Sequence, residues 1–147
     1  MIKVEIVQQY TPELGAAARA LVMELSRSGK DKGEIPQAWF DETIASPYHD
    51  LIVATEDGAI LGMATVSVMF GAEIRKQVYL NDFVVSSAAR GKGVGGLIWD
   101  KILAWGKEHD CNMLKFDSGR DREAAQNFYL HRGAEIYKTN FFRKKLD

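Results

Sequence analysis

The stretch Val84–Asp110, VVSSAARGKGVGGLIWDKILAWGKEHD, joins the end of an apolar, β-rich run to an amphipathic helix. Four glycines fall within the six positions 91–96, and Arg90 and Lys92 lie among them. A helix N-terminus exposes unpaired backbone N–H groups and the positive end of the helix dipole, which stabilise an anion. Glycine lets the chain turn tightly and lets a ligand approach those amides. The residues alone therefore predict either an anion-binding loop or a plain glycine-rich turn.

Two known phosphate-binding loops can be compared with this stretch. The Walker A pattern GxxxxGK[ST] does not occur in the chain, so NTP hydrolysis is not expected. Gly91, Gly93 and Gly96 do match the dinucleotide spacing GxGxxG, and Asp117 lies at the offset of the acidic residue in that fingerprint. That fingerprint follows the first strand of a parallel sheet, whereas this loop follows four predicted strands. A Rossmann-type nucleotide binder is therefore disfavoured.

Composition excludes several classes of protein. The 147 residues are 46% hydrophobic, which suits one domain over residues 1–147 with its own core. Nineteen basic and twenty acidic residues leave a net charge of -1, so nucleic-acid binding is not expected. One cysteine, Cys111, and three scattered histidines predict neither a disulfide framework nor a metal site. The charged N-terminus and the lack of an apolar run of ~20 residues predict no signal peptide or membrane span, hence a cytoplasmic protein.

Hydrophobic periodicity divides the chain into alternating strands and helices. Thr11 is a predicted N-cap with Pro12 in the first helical position, and Asp57-Gly58 is a hairpin turn signal. In the helix that follows the glycine loop, an apolar stripe is predicted at Val94, Leu97, Ile98, Ile102 and Trp105. Strands are predicted at about 2–7, 51–56, 59–70, 77–85 and 111–118, with two more in 134–146. Helices are predicted at about 11–26, 36–46, 94–110 and 121–133, with a polar loop at 26–36.

The order of these elements predicts an α/β (mixed α+β) domain of three layers. Its central, mixed sheet has about seven strands and is flanked by about four helices. The strand–helix–strand unit at 78–117 is expected to be a right-handed parallel crossover, and the hairpin before it is antiparallel.

The glycine loop also resembles a family motif. Residues 90–95, RGKGVG, look like the Arg/Gln-x-x-Gly-x-Gly/Ala signature of the GNAT superfamily of N-acetyltransferases. The resemblance extends over residues 80–137, from "LNDFVV" through the loop to the helix with "NFYLHRGA", and matches the family core from its fourth strand to its sixth. It implies a GNAT-like fold with a mostly antiparallel sheet, and acetyl transfer from acetyl-CoA to an amine, without a metal.

The resemblance also implies where the coenzyme binds. Backbone groups of Phe83, Val84 and Val85 would pair with the pantetheine arm, and a main-chain N–H there would polarise the thioester carbonyl. The pyrophosphate would lie on the loop amides of Arg90, Gly91, Lys92, Gly93, Val94, Gly95 and Gly96. Such contacts need no particular side chain.

Two residues are candidate catalytic groups. Tyr129 matches the helix-borne tyrosine of the family and would protonate the departing thiolate, although packing beside Phe128 is the alternative. Asp82, a carboxylate in the mostly apolar run "VYLNDFVV", alternates with Leu80 and Val84 and would take the proton of the amine or bind it. Spermidine/spermine acetyltransferases carry a Glu-Asp pair where this chain has Asn81-Asp82, and an internal structural role for Asp82 stays open.

The last helix departs from the family at one position. Arg122 stands where many relatives have an asparagine that contacts the coenzyme, and it would reach the phosphates or only line the helix start. Asn127 is a candidate pantetheine contact.

The acceptor is expected to be a primary amine of a small molecule or peptide. Trp39, Phe40 and Tyr48 are candidate aromatic walls for it, with ordinary packing as the alternative. A domain of the same fold that binds acyl-CoA without chemistry is the alternative function, and a homodimer is a further expectation of the resemblance.

Overall fold

The computed structural model describes residues 1–26 and 28–147, so that Arg27 of the predicted polar loop lies outside the described residues. The strands are β1 (Lys3–Ile6), β2 (His49–Glu56), β3 (Ala59–Gly71), β4 (Arg75–Val85) and β5 (Leu114–Lys115). The helices are α1 (Pro12–Leu25), α2 (Gln37–Ala45), α3 (Val94–Glu108) and α4 (Glu123–His131), with a short 3-10 helix at Ser87–Ala89. The chain divides into two compact units, Met1–Phe116 and Asp117–Asp147.

The first unit is built around one five-stranded sheet in the order β1-β2-β3-β4-β5. The pairs β1–β2, β2–β3 and β3–β4 are antiparallel, and β4–β5 is parallel across the α3 connection. The mixed, mostly antiparallel sheet and the parallel crossover are therefore confirmed. No helix in the described parts of the chain is long and apolar enough to cross a membrane.

Within residues 1–26 and 28–147 there are five strands rather than about seven. The predicted strand at 111–118 is reduced to Leu114–Lys115, and residues 134–147 contain no assigned strand. In that segment Ile136, Tyr137, Phe141 and Phe142 are 72–85% exposed. A strand needs neighbours that cover one face and pair its backbone, and this segment lacks a buried face within the described chain.

Local signals at the helix ends and turns act as predicted. The Thr11 hydroxyl accepts a hydrogen bond from the Leu14 amide at 3.1 Å and caps α1, with Pro12 in its first turn. Asp57 and Gly58 both adopt positive φ angles, 52° and 81°, at the β2–β3 turn.

The sheet carries apolar clusters on both faces. One face packs α3 against the strands through Ile98, Ile102 and Trp105, all fully buried. The other face packs α1 and α2 through residues such as Leu21 and Phe40. The α3 stripe differs from the prediction at two positions, because Trp99 is buried whereas Leu97 is 43% exposed.

Candidate functional site

The glycine loop is held at both ends and exposed between them. Ala89 and Val94 are 2% and 1% exposed and belong to the core cluster under α3. Gly91 and Gly93 adopt left-handed φ angles of 86° and 78°, and a Cβ atom at either position would meet nothing within 4 Å. Backbone conformation, and not crowding, therefore requires these glycines. The open space over them leaves the loop accessible to a ligand.

The start of α3 is suited to an anion. Gly93 is the N-cap and supplies no side-chain hydrogen bond, so no side-chain cap there occupies the first amides of the helix. Arg90 and Lys92 are exposed beside these amides. The Lys92 ammonium lies 3.6 Å from a carboxylate oxygen of the partly exposed Glu56, and such a surface ion pair contributes little to stability, so a phosphate can displace it at little cost.

The strand that leads into this loop extends beyond its pairing with β5. β4 pairs with β5 only at Val78 and Tyr79, so from Leu80 to Val85 the only strand described beside it is β3. Phe83, Val84 and Val85 belong to this part of β4, next to the loop. An extended ligand chain can add to an exposed sheet edge through main-chain hydrogen bonds.

The end of β4 packs closely against β3 and α3. A Cβ atom at Gly62 of β3 would lie 2.9 Å from the carbonyl oxygen of Val84 and 3.0 Å from Cδ1 of Ile98 in α3. Glycine at this position lets the two strands and α3 meet without displacing the end of β4.

A β-bulge in β4 sets the position of Asp82 opposite Thr65 of β3. The register runs from Thr65↔Asp82 to Val66↔Leu80, so Asn81 is the extra residue. Leu80 consequently belongs to the cluster under α3, whereas Val84 belongs to the cluster under α1 and α2. Leu80 and Val84, with which Asp82 alternates in the sequence, therefore lie on opposite faces of the sheet, because one inserted residue reverses the alternation.

Asp82 is oriented by its cross-strand neighbour. The hydroxyl of Thr65 donates to Oδ2 of Asp82 at 2.6 Å, and Thr65 is only 5% exposed. Beside this pair, the Asn81 amide donates to the Ser67 hydroxyl at 3.0 Å. Asp82 itself is half-buried, so it remains accessible to water.

Two candidate site residues lie in the second unit. Tyr129 and Asn127 lie on α4 in the second unit, where Tyr129 is half-buried and Asn127 is exposed. Burial raises the pKa of the Tyr129 phenol above its usual 10, against the opposing charge of Arg122, so the phenol keeps its proton at neutral pH. Phe128 is partly buried, with the Arg132 guanidinium 4.4 Å from its ring centroid.

The aromatic candidates for the acceptor side divide into two kinds. Phe40 is fully buried in the core, 5.1 Å from the Tyr10 ring, so packing explains it. Trp39 and Tyr48 are 39% and 47% exposed and stay accessible.

Sequence reasoning missed two residues near this site, Thr65 and Glu24. Thr65 stands out only as a polar residue in the apolar run "LGMATVSVMF". Glu24 of α1 accepts a hydrogen bond from the Ser87 amide at 3.0 Å, across 63 positions of sequence. The hydroxyl and then the amide of Ser87 lower the pKa of Glu24, which keeps it ionised at neutral pH. No local pattern indicates such a contact.

Known proteins share both the sequence pattern and the fold. The family model of the acetyltransferase (GNAT) family matches residues 17–134. The structure of the aminoglycoside acetyltransferase AAC(6')-Iy, in complex with the bisubstrate analogue CoA-S-monomethyl-acetylneamine, aligns with a TM-score of 0.78 at 18% identity, covering 99% of both chains.

Two further structures align over the same extent. The aminoglycoside 6'-N-acetyltransferase AAC(6')-IG from Acinetobacter haemolyticus has 20% identity and a TM-score of 0.74, with 99% of each chain covered. An aminoglycoside acetyltransferase from an uncultured soil metagenomic sample has 17% identity and a TM-score of 0.80, again over 99% of each chain. Identities at this level show a common fold, and the family match covers most of the chain. The protein belongs to the GNAT acetyltransferase family.

Proposed function

We propose that this protein transfers an acetyl group from acetyl-CoA to a primary amine of a small molecule or peptide. The observation that supports the proposal is the exposed glycine loop at the start of α3, which directly follows the part of β4 that extends beyond its pairing with β5. One extended ligand with an anionic end fits both. Coenzyme A has this form, with a pantetheine arm and a pyrophosphate.

The backbone would do most of the binding. Amides of the loop from Arg90 to Gly96 would hold the pyrophosphate, with Arg90 and Lys92 adding charge. Main-chain groups of Phe83–Val85 would pair with pantetheine, and one N–H would stabilise the oxyanion that forms as the amine attacks. Asn127 is a further proposed contact of the pantetheine arm.

The reaction needs proton transfers both at the amine and at the departing thiolate. An alkylammonium with a pKa near 10 is only ~0.1% neutral at pH 7, so the amine must lose a proton before its nitrogen attacks the thioester carbon. Asp82, held by Thr65 at 2.6 Å, would take this proton directly or through a water. The carbon–sulfur bond then breaks, and Tyr129 would give its proton to the thiolate. The second proton that the nitrogen loses as the amide forms, or a proton from solvent, would restore the phenol.

Thermal unfolding with acetyl-CoA and with NAD tests the donor. Acetyl-CoA at 100 times its Kd adds about 2.7 kcal/mol of stability, whereas NAD is expected to add none. Stabilisation by NAD alone would contradict the proposal.

A matched pair of glycine variants locates the coenzyme site. Gly91 and Gly33 have φ angles of 86° and 90°, and a Cβ atom at either would meet nothing within 4 Å. Gly91→Ala and Gly33→Ala should each cost roughly 1–2 kcal/mol of stability through the same backbone strain. Only Gly91→Ala should weaken acetyl-CoA binding, and equal weakening by both would remove the loop from the site.

Thiol release across a panel of amines tests the chemistry. The aminoglycoside acetyltransferases of the same fold make aminoglycosides the first members of the panel, followed by polyamines and peptide N-termini. Binding of acetyl-CoA without thiol release for any amine would favour the alternative, an acyl-CoA-binding domain without catalytic activity.

A further inference from the structure

We propose that Glu24 of α1 is a positioning residue for the coenzyme, because it fixes the chain segment that enters the pyrophosphate loop. This inference rests on the proposed function. Its physical basis is the hydrogen bond from the Ser87 amide to Oε1 of Glu24, 3.0 Å long, at the first residue of the 3-10 helix.

The segment before the loop is fastened from two sides. The Ser86 amide donates to the Leu61 carbonyl of β3 at 2.8 Å, and the next amide, that of Ser87, donates to Glu24. The side chain of Ser86 does not cap the 3-10 helix, so Glu24 supplies the acceptor from a different element. Ala89 then enters the core, and the exposed loop begins at Arg90. Glu24 thus helps to set the direction in which the loop amides point.

Stability of α1 does not explain a glutamate at this position. Glu24 lies in the last turn of α1, near the negative end of the helix dipole, where a carboxylate is unfavourable. The last turn contains no basic residue to compensate it. The contact with Ser87 and the attraction to Arg90 are the interactions that favour the charge there.

Glu24 has two opposite effects on an anionic ligand. Its hydrogen bond orders the loop and favours binding, whereas its charge attracts Arg90 and repels the pyrophosphate. Glu24→Gln keeps an oxygen acceptor for the Ser87 amide and removes the charge. Glu24→Ala removes both, so the two variants separate positioning from electrostatics.

Calorimetric titration with coenzyme A at two salt concentrations measures how the hydrogen bond and the charge of Glu24 each change the Kd. Glu24→Ala is expected to raise the Kd about three- to tenfold, as loss of one charge-assisted hydrogen bond predicts. Glu24→Gln is expected to bind as tightly as the wild type or more tightly, and high salt should reduce only this gain. Glu108→Ala is the matched control, because Glu108 is also an exposed glutamate in the last turn of a helix.

Hydrogen exchange of the free protein supplies a second readout that does not need the ligand. Peptides that cover residues 86–93 should exchange faster in Glu24→Ala than in Glu24→Gln or the wild type, whereas peptides from the middle of α3 should not change. Unchanged exchange at 86–93, or equal or tighter coenzyme A binding by Glu24→Ala, would overturn the positioning role. If wild-type protein fails to bind coenzyme A, the proposed function fails, and the exchange data still report on the contact.

Discussion

Replacing Thr65 by valine should destabilise the protein measurably, because it removes the hydroxyl that donates to Asp82 at 2.6 Å. Hydrogen bonds to charged acceptors contribute roughly 1.5–3 kcal/mol. Asp82 is only half-buried, so water replaces part of the lost interaction. We therefore expect Thr65→Val to lower the free energy of unfolding by about 1–2 kcal/mol.

Urea denaturation, followed by fluorescence of the three tryptophans, provides the assay. Thr65→Ser keeps the hydroxyl and loses one methyl group, which costs about 0.8 kcal/mol at most. Combining Thr65→Val with Asp82→Ala completes a double-mutant cycle, whose coupling energy isolates the pair. The expected coupling is about 1 kcal/mol or more, with Thr65→Ser closer to the wild type than Thr65→Val.

A coupling energy below about 0.5 kcal/mol would refute this reasoning, because contacting residues that share a real interaction exceed that value. A Thr65→Ser variant as unstable as Thr65→Val would refute it in a different way. It would show that packing of the methyl group, and not the hydrogen bond, makes Thr65 important.

Three further substitutions have defined outcomes. Gly62→Ala should cost about 1–3 kcal/mol in urea denaturation, because its Cβ atom meets the backbone carbonyl of Val84 at 2.9 Å; a cost under 0.5 kcal/mol would contradict this. Gly106→Ala, whose Cβ atom meets Cγ2 of the buried, β-branched Val78 at 2.9 Å, should cost about 1–2 kcal/mol in the same assay, because the helix propensity of alanine offsets only about 1 kcal/mol of the overpacking; a variant as stable as the wild type would contradict this. In thiol-release assays Tyr129→Phe should lower kcat about 100-fold without changing the KM for acetyl-CoA. Because burial raises the phenol's pKa, the Tyr129-dependent activity should decline only above pH 10, and an unchanged kcat would exclude Tyr129 as the acid. Tyr137→Phe, at a 76% exposed tyrosine, is the control.

The local features of this protein were predictable because they depend on neighbours in sequence. Thr11 caps α1 by accepting a hydrogen bond from an amide only three residues further along the chain. Asp57-Gly58 forms a turn between two strands that are consecutive in sequence. The glycine loop was equally predictable, since glycine is the residue type that readily adopts the positive φ angles found at Gly91 and Gly93. The α3 stripe was correct at most positions and wrong at Leu97, because which helix face is covered depends on the sheet beneath it.

The segment 134–147 shows the opposite case. Its β-rich pattern predicted two strands, yet the large side chains at Ile136 and Phe142 are 72% and 85% exposed. Sequence pattern reports the tendency of a segment to be extended, whereas strand pairing depends on a partner that the pattern does not specify.

By itself, the sequence determined the order of the elements from β1 to α4, the glycine loop at the start of α3 and the resemblance to an acetyltransferase family. Only the tertiary structure decided how the chemistry-bearing side chains are held. The bulge at Asn81 turns Asp82 away from the face of Leu80, and Thr65 and Glu24 reach their partners across 17 and 63 positions. Such contacts arise from strand register and helix docking, which are set by packing over the whole sheet. Residue types therefore predict the glycine loop and the candidate base Asp82. They do not predict Glu24 and Thr65, the side chains that contact the start of the loop segment and Asp82.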